Sequence, residues 1–123
     1  MLILIAGPYR SGTGDDPVRM AENLKRLEEP SYALFKAGHV PMIGEWVALP
    51  VWAAAGGRVV GDDLYEEIFH PVAGRLLAIC DGVLRLPGAS KGADNDVALA
   101  RKRGIPVWFS LEEVPGVIGT ERR

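Results

Sequence analysis

Two glycine-rich segments of this chain combine groups that bind phosphate with a carboxylate suited to nucleophilic attack. The first is Ala6-Gly-Pro-Tyr-Arg-Ser-Gly12, and the second is Leu86-Pro-Gly-Ala-Ser-Lys-Gly-Ala-Asp-Asn-Asp96. Backbone amides next to glycine, an arginine fork and a hydroxyl are all donors for a phosphate. A carboxylate that is ionised at neutral pH can act as a nucleophile or stabilise a developing cation. The two segments therefore predict a site for a small anionic ligand.

The first segment has the parts of a phosphate-binding loop without a known fingerprint. Gly7 and Gly12 let the backbone approach a ligand, Arg10 offers a planar set of donors, and Ser11 offers a hydroxyl. The glycine spacing fits neither the P-loop nor the dinucleotide-binding motif. An ordinary strand-to-helix turn that carries a solvated arginine is the alternative interpretation.

The second segment is typical of the start of a helix. Ser90 is predicted to cap that helix, so that free amides near Gly92 point toward an anion. Asp96 then lies about one turn into the helix, where its carboxylate is available for chemistry. Acidic side chains such as Asp94 and Asp96 also favour the positive end of a helix dipole in proteins with no activity, and this second interpretation stays open.

Alternating strand and helix patterns position both segments. Strands are predicted at 2–5, 40–43, 82–86 and 105–109, and helices at 16–37, 62–80 and 92–103. Pro30 and Pro71 should kink or divide their helices. The apolar residues 44–62 are interpreted as an ordered loop with a helical turn. Residues 110–123 are predicted to form a short surface turn and then a loose tail.

This alternation predicts an α/β fold, with a parallel sheet of four or five strands between helices on both faces. We expect the strand order 2-1-3-4 of a flavodoxin-like three-layer sandwich, formed by residues 1–123 as a single domain. In such sheets ligands bind beyond the carboxyl ends of the strands, where the winding direction reverses. The two glycine-rich segments should therefore face each other across one crevice.

Composition restricts the partners of the chain. The net charge of −2 and the pI near 5.7 argue against a nucleic-acid polymer. The single cysteine, Cys80, cannot form an internal disulfide, which indicates a reducing compartment. No signal peptide and no membrane span is predicted, so we expect a cytoplasmic protein that does not contact a membrane.

A few aromatic and imidazole side chains allow two interpretations each. Trp46 and Trp52 are typical of a substrate wall or of a subunit contact. His39 is interpreted as a structural residue at a helix exit, and His70 as either a structural residue or a proton donor in the site. No cysteine or histidine cluster has zinc-ligand spacing, and we expect neither a metal nor another cofactor.

Taken together, four stretches resemble the nucleoside 2-deoxyribosyltransferase superfamily. They are Ile5-Ala-Gly-Pro-Tyr-Arg10, Cys80-Asp-Gly-Val-Leu-Arg-Leu-Pro87, Ser90-Lys-Gly-Ala-Asp-Asn-Asp-Val-Ala-Leu-Ala100 and Gly104-Ile-Pro-Val107. The likeness is to the small bacterial and phage branch and, more distantly, to 2'-deoxynucleoside 5'-phosphate N-hydrolase. It runs over nearly the whole chain in the same order. It implies a flavodoxin-like sandwich and a homodimer or larger homo-oligomer.

The resemblance also implies a reaction, the cleavage of an N-glycosidic bond in a nucleoside monophosphate or a nucleoside. In the superfamily a first loop holds the nucleotide and a carboxylate attacks the anomeric carbon, after which water or another base takes the place of the departing base. In the hydrolase branch a serine and a glycine contact the 5'-phosphate. The matching residues are Gly7, Tyr9, Arg10 and Ser11 for the loop, Ser90 and Gly92 for the phosphate, and Asp96 for the attack.

The chain departs from the superfamily pattern at three places. Asp96 stands where the well-studied members have glutamate, Arg75 stands where the hydrolase branch has an aspartate, and residues 44–57 match none of those members. A catalytically silent nucleotide-binding module of the same fold is therefore the alternative hypothesis, and a flavodoxin-like carrier of a flavin phosphate is a third. The acidic side chains that could replace the missing aspartate are Asp62, Asp63, Glu66 and Glu67.

Overall fold

The computed structural model describes residues 1–117 and has an α/β architecture. Its elements in chain order are β1 (Leu2–Ala6), α1 (Pro17–Glu28), α2 (Ser31–Lys36), β2 (Val40–Ile43), α3 (Gly44–Ala54), α4 (Asp63–Ile79), β3 (Gly82–Arg85), α5 (Lys91–Lys102) and β4 (Val107–Trp108). A short 3₁₀ helix, Leu111–Glu113, follows β4. The tail predicted toward residue 123 lies, from residue 118 onward, outside the described residues.

The four strands form one parallel sheet in the order β2-β1-β3-β4. The strand β1 is central, and it pairs with β2 from Leu2 opposite Val40 and with β3 from Ile3 opposite Gly82. The strand β4 lies at the edge beside β3. The predicted strand order and the flavodoxin-like arrangement are confirmed.

The sheet separates two hydrophobic cores because successive side chains of a strand point to opposite faces. Ile3 and Ile5 pack on one face with Leu27 of α1 and Leu34 of α2. The other side chains of β1 pack on the opposite face with α3, α4 and α5. The buried residues of this second core include Leu4, Ala6, Ala48, Val72, Leu76, Leu77 and Ala100. Helices thus cover both faces of the sheet, as predicted.

Side-chain caps fix the starts of two helices, and the cap at Ser90 is the one predicted. The side chain of Asp16 accepts a hydrogen bond from the Val18 amide, with Pro17 as the first helical residue. The Ser90 hydroxyl accepts one from the Ala93 amide at 3.1 Å, so that α5 begins directly after it. Each cap satisfies an amide that the helix itself leaves free. Pro30 divides the predicted helix 16–37 into α1 and α2.

The prediction of a loop at residues 44–62 is wrong over its first half, because Gly44–Ala54 form α3. This helix contains Pro50 and is apolar around most of its circumference, so it has no amphipathic period to read from the sequence. Its buried residue, Ala48, packs in the core beside β1. Tertiary packing therefore outweighs the local cost of the proline.

The helix α4 is continuous through Pro71, where the sequence predicts a kink or a break. Proline removes one intrahelical donor. The residues that follow it, Val72, Leu76 and Leu77, are buried in the core and keep this half of the helix on the sheet.

The last elements are shorter than predicted. The strand β4 has only two residues, although the carbonyl of Pro106 still accepts a hydrogen bond from Val83 at 2.9 Å. Beyond it, Val114 is 2% exposed and packs in the core beside α1 and α2, which the expectation of a surface turn misses. Within residues 1–117, none of the helices combines the length and apolar character needed to span a bilayer.

Candidate active site

The two glycine-rich segments border one cavity beyond the carboxyl ends of β1 and β3. Its volume is about 620 Å³, within the range of small-molecule pockets. The site residues proposed from the sequence all line it: Gly7, Tyr9, Arg10, Ser11, Ser90, Gly92 and Asp96. The cavity lies where the strand order reverses between β1 and β3, because parallel strands bring their carboxyl ends to the same edge of the sheet.

Asp96 lies in the second turn of α5 and is partly buried. Burial raises the pKa of Asp96 to about 6, while the positive charges of His70 and Arg85 act in the opposite direction. At pH 7 the carboxylate is therefore mostly ionised, although it lies in a poorly solvated cavity wall. An ionised carboxylate with little solvation is a good nucleophile and a strong stabiliser of nearby positive charge.

The guanidinium of Arg10 donates hydrogen bonds to acidic side chains of the protein, so it is not free to bind a phosphate. Its Nε and Nη2 donate to the Asp15 carboxylate at 2.6 and 3.2 Å, and its Nη1 donates to Glu66 Oε1 at 3.1 Å. The guanidinium also lies 5.5 Å from the ring centroid of Tyr65. A Cβ at Gly61 would overlap this guanidinium, so the glycine makes room for it. We call Arg10, Asp15 and Glu66 the arginine clamp.

Further contacts fix the loop between β1 and α1. The Asn23 amide donates to the Tyr9 carbonyl at 2.8 Å, and the Thr13 hydroxyl donates to the Arg10 carbonyl at 2.5 Å. A Cβ at Gly7 would lie 2.9 Å from the Leu27 side chain. Packing against α1 thus explains the absence of a side chain at Gly7, whereas the sequence predicts that this glycine lets a ligand approach the backbone.

The second segment leaves its donors open to the cavity. Ser90, Lys91 and Gly92 line the cavity at the start of α5, and a Cβ at Gly92 would meet no atom within 4 Å. Arg85, which is 8% exposed, holds the loop between β3 and α5 by donating to the Gly88 carbonyl at 3.0 Å and to Asp94 at 2.9 Å. A phosphate above α5 would meet free amides, a hydroxyl and an ammonium group.

Glu45 is a cavity residue that the sequence analysis misses. It lies in the first turn of α3, two residues after the end of β2, and it is partly buried. Burial, with a smaller contribution from the charge of Asp96, raises the pKa of Glu45 to about 7. The position of Glu45 just after the carboxyl end of β2 is the sequence signal that could have identified it as a site residue. The prediction of a loop over residues 44–62 drew attention away from that position.

Aromatic side chains form the wall of the cavity beside α4. Tyr65 stacks on Phe69 with ring centroids 3.8 Å apart, and Tyr9, on the loop after β1, also lines the cavity. Burial raises the pKa of Tyr9 and of Tyr65, with Glu45 contributing to both shifts. Both phenols are therefore neutral at physiological pH. A planar ring or a sugar face can pack against such a wall.

The two tryptophans of α3 lie outside this lining. The Trp46 indole donates to Glu28 at 2.8 Å, and the Trp52 indole donates to Asp62 at 3.0 Å. Trp52 also packs edge-on against Tyr65 at 6.4 Å and so supports the aromatic wall from behind. Of the two interpretations from the sequence, the substrate wall does not hold for the cavity as the described residues form it.

The two histidines differ in place. His39 Nε2 bonds the Pro115 carbonyl at 2.6 Å, and its Nδ1 bonds the Met1 amine at 3.0 Å, which agrees with a structural role at a helix exit. His70 lines the cavity and lies 3.1 Å from the Glu66 carboxylate.

Of the acidic residues proposed to replace the missing aspartate, only Glu66 lines the cavity. Arg75 is exposed on α4.

The site contains acid, base and donor groups but no metal-binding cluster. Within the described part of the chain, no three His, Cys, Asp or Glu side chains converge to ligate a metal. Comparison of the chain with protein-family models, with curated proteins and with solved structures finds no match. The arrangement combines an ionised carboxylate, a second carboxyl group, an aromatic wall and an anion-binding helix start in one cavity.

Proposed function

We propose that this protein cleaves the N-glycosidic bond of a nucleoside monophosphate or a nucleoside, with Asp96 acting on the anomeric carbon. One observation carries the proposal: Asp96 lines the same cavity as the loop after β1 and the start of α5. The resemblance to the nucleoside 2-deoxyribosyltransferase superfamily supports it, because the residues of this chain that match the superfamily's site line this cavity. A cytoplasmic homodimer or larger homo-oligomer belongs to the same proposal.

The chemistry at the anomeric carbon follows from the charge of Asp96. As the bond between C1' and the base breaks, its electron pair leaves with the base and positive charge develops on the sugar. The Asp96 carboxylate bonds to C1' or stabilises this oxocarbenium-like state, as in retaining glycoside hydrolysis. Water, or a second base, then takes the place of the first base. Water as the acceptor makes the protein a hydrolase, and a base makes it a transferase.

The phosphate end of the substrate is assigned to the start of α5. Ser90, Lys91 and the amides near Gly92 are open to the cavity, whereas the guanidinium of Arg10 is paired with Asp15 and Glu66. Compensated charge binds an incoming anion poorly, because two existing ion pairs must first be given up. This assignment favours a nucleoside monophosphate, with hydrolysis as our narrower hypothesis.

Base release tests the proposal directly. The protein is incubated with deoxy- and ribonucleoside monophosphates and with the matching nucleosides, and the free base is measured by chromatography. We expect release by the natural sequence and a loss of at least about 10³-fold in Asp96→Asn, because the amide is not a nucleophile.

Asp94→Asn is the matched control for this test. Asp94 lies on the same helix, pairs with Arg85 at 2.9 Å, and lies outside the cavity lining. Release that persists in Asp96→Asn would contradict the assignment. Ligand-dependent thermal stabilisation with no base released from any substrate would favour the nucleotide-binding module. The aspartate in place of the family's glutamate favours that second candidate, since a carboxylate displaced by about 1 Å can lose about 100-fold in rate.

A further inference from the structure

Two carboxyl groups reach the cavity from different elements. Glu45 lies at the start of α3, and Asp96 lies in α5. Neither takes part in the ion pairs found among residues 1–117, whereas the neighbouring Asp15 and Glu66 are both bound to Arg10. Two unpaired carboxyl groups on one cavity are the components that glycosidic bond cleavage uses.

We propose that Glu45 is the proton donor to the departing base and afterwards the acceptor of the proton from the attacking water. This inference rests on the proposed function, in which Asp96 acts on C1'. It assigns the donation of the proton to the departing base to a residue of α3, an element for which the resemblance supplies no counterpart. It also accounts for Arg75, because a proton donor on α3 makes an aspartate at that exposed position unnecessary.

The surroundings of Glu45 give it a higher pKa than Asp96, so that one carboxyl group can be protonated while the other is ionised. The charge of Asp96 acts on Glu45, and Glu45 in turn acts on the phenols of Tyr9 and Tyr65. With a pKa of about 7 for Glu45 and about 6 for Asp96, the acid and the carboxylate coexist between these values. The titratable and charged groups that line the cavity around this pair are Tyr9, Arg10, Tyr65, Glu66, His70 and Lys91.

The proposed steps balance in atoms and charge. The Asp96 carboxylate forms a bond to C1' while the bond from C1' to the base breaks, and the base nitrogen takes the proton of the Glu45 carboxyl group. Water then attacks C1' and gives its proton to the Glu45 carboxylate, while the bond between C1' and Asp96 breaks. The sum is substrate plus water giving sugar phosphate plus base, with both side chains restored.

A pair of substrates isolates the proton-donor role. One is a purine deoxynucleoside monophosphate, and the other is its N7-methylated counterpart, whose base is already cationic and leaves neutral without a proton. Base release is measured in a single turnover with enzyme in excess, so that only the first step is observed. We expect Glu45→Gln to slow release of the ordinary purine by about 10²–10⁴-fold and that of the methylated purine by less than about tenfold.

The pH profile gives a second readout. In the natural sequence the single-turnover rate should fall below pH of about 6, as Asp96 is protonated, and above about 7, as Glu45 loses its proton. In Glu45→Gln the alkaline decrease should disappear for the ordinary purine, whereas the methylated purine, which needs no proton, should show no alkaline decrease in either protein. Thermal unfolding shows whether the variant is folded, and Glu112→Gln, an exposed glutamate outside the cavity, is the matched control.

The outcomes separate the two hypotheses. Equal slowing of both substrates, or no slowing of either, overturns the role of Glu45 while leaving Asp96 and the proposed function in place. Absence of base release by the natural sequence with every substrate overturns the proposed function itself, and the role of Glu45 with it.

Discussion

Two groups of carboxylates, one in the cavity and one at its margin, are built in opposite ways. In the arginine clamp, hydrogen bonds from Arg10 hold the pKa of Asp15 below its usual range. In the second group, which we call the carboxyl pair, Glu45 and Asp96 have raised pKa values because both are partly buried. The clamp gains stability from its charges, and the carboxyl pair loses stability when it is charged.

This difference separates structural from chemical roles. Compensated charges are fixed by their partners, and they join the loop after β1 to α4 through Arg10 and Glu66. Uncompensated carboxyl groups in a cavity are ready to exchange protons or to meet a developing cation. Arg10 is the most conspicuous charge of the first loop in the sequence, yet its contacts are those of a structural residue. Glu45, which has no motif around it, has the surroundings of a catalytic group.

Among the tests of this comparison, the largest effect is expected where phosphate binding is assigned to α5 rather than to the clamp. Lys91→Ala should raise the KM for a nucleoside monophosphate by about 10–100-fold, because a charge-assisted hydrogen bond is lost, and leave the KM for the free nucleoside unchanged. Steady-state kinetics on both substrates measure this split. Lys102→Ala, at the other end of the same helix, is the control. If Arg10→Ala alone raised the KM for the phosphate, the clamp would have to open on binding.

An intermediate effect concerns the energetic cost of the carboxyl pair. Because folding raises both pKa values, the folded chain binds more protons than the unfolded one, and stability should fall as pH rises from about 4 through 7. The double variant Glu45→Gln/Asp96→Asn should therefore melt on the order of 5 °C higher at pH 8 and at a similar temperature at pH 4. Thermal unfolding followed by circular dichroism across this range measures the difference. A variant that melted lower at pH 8 would show that the pair stabilises the fold.

The smallest effect is expected for the clamp. Asp15 has a φ of 60°, which asparagine also tolerates, so Asp15→Asn removes the charge and keeps the backbone conformation. With its pKa lowered in the folded state, Asp15 stabilises the protein at neutral pH, and this contribution is lost as the pH falls through its folded pKa. The variant should melt slightly lower at pH 7, by an amount that decreases as the pH falls through the folded pKa of Asp15, and release base within about threefold of the natural rate. A much larger loss of base release would place Arg10 in the chemistry.

Much of the fold could be predicted because its signals are local. The run Leu2–Ile5, the cap at Ser90 and the proline that divides α1 from α2 each act within a few residues. The alternation of strands and helices then limits the sheet to a few orders. The helix α3 could not be found in this way, because an apolar segment with a proline inside has no helical pattern of polarity.

Seven residues of the candidate site were predicted, but Glu45 and the electrostatics of the site were not. The sequence alone determined which residues follow β1 and β3, and parallel strands bring such residues to one edge, so the seven proposed residues line one cavity. Only the tertiary structure decided that Arg10 is paired with Asp15 and Glu66, and that Glu45 joins Asp96 from α3. The physical reason is that burial and ion pairing depend on groups far apart in the chain. Arg10 and Glu66 are 56 positions apart and meet only when α4 packs against the sheet.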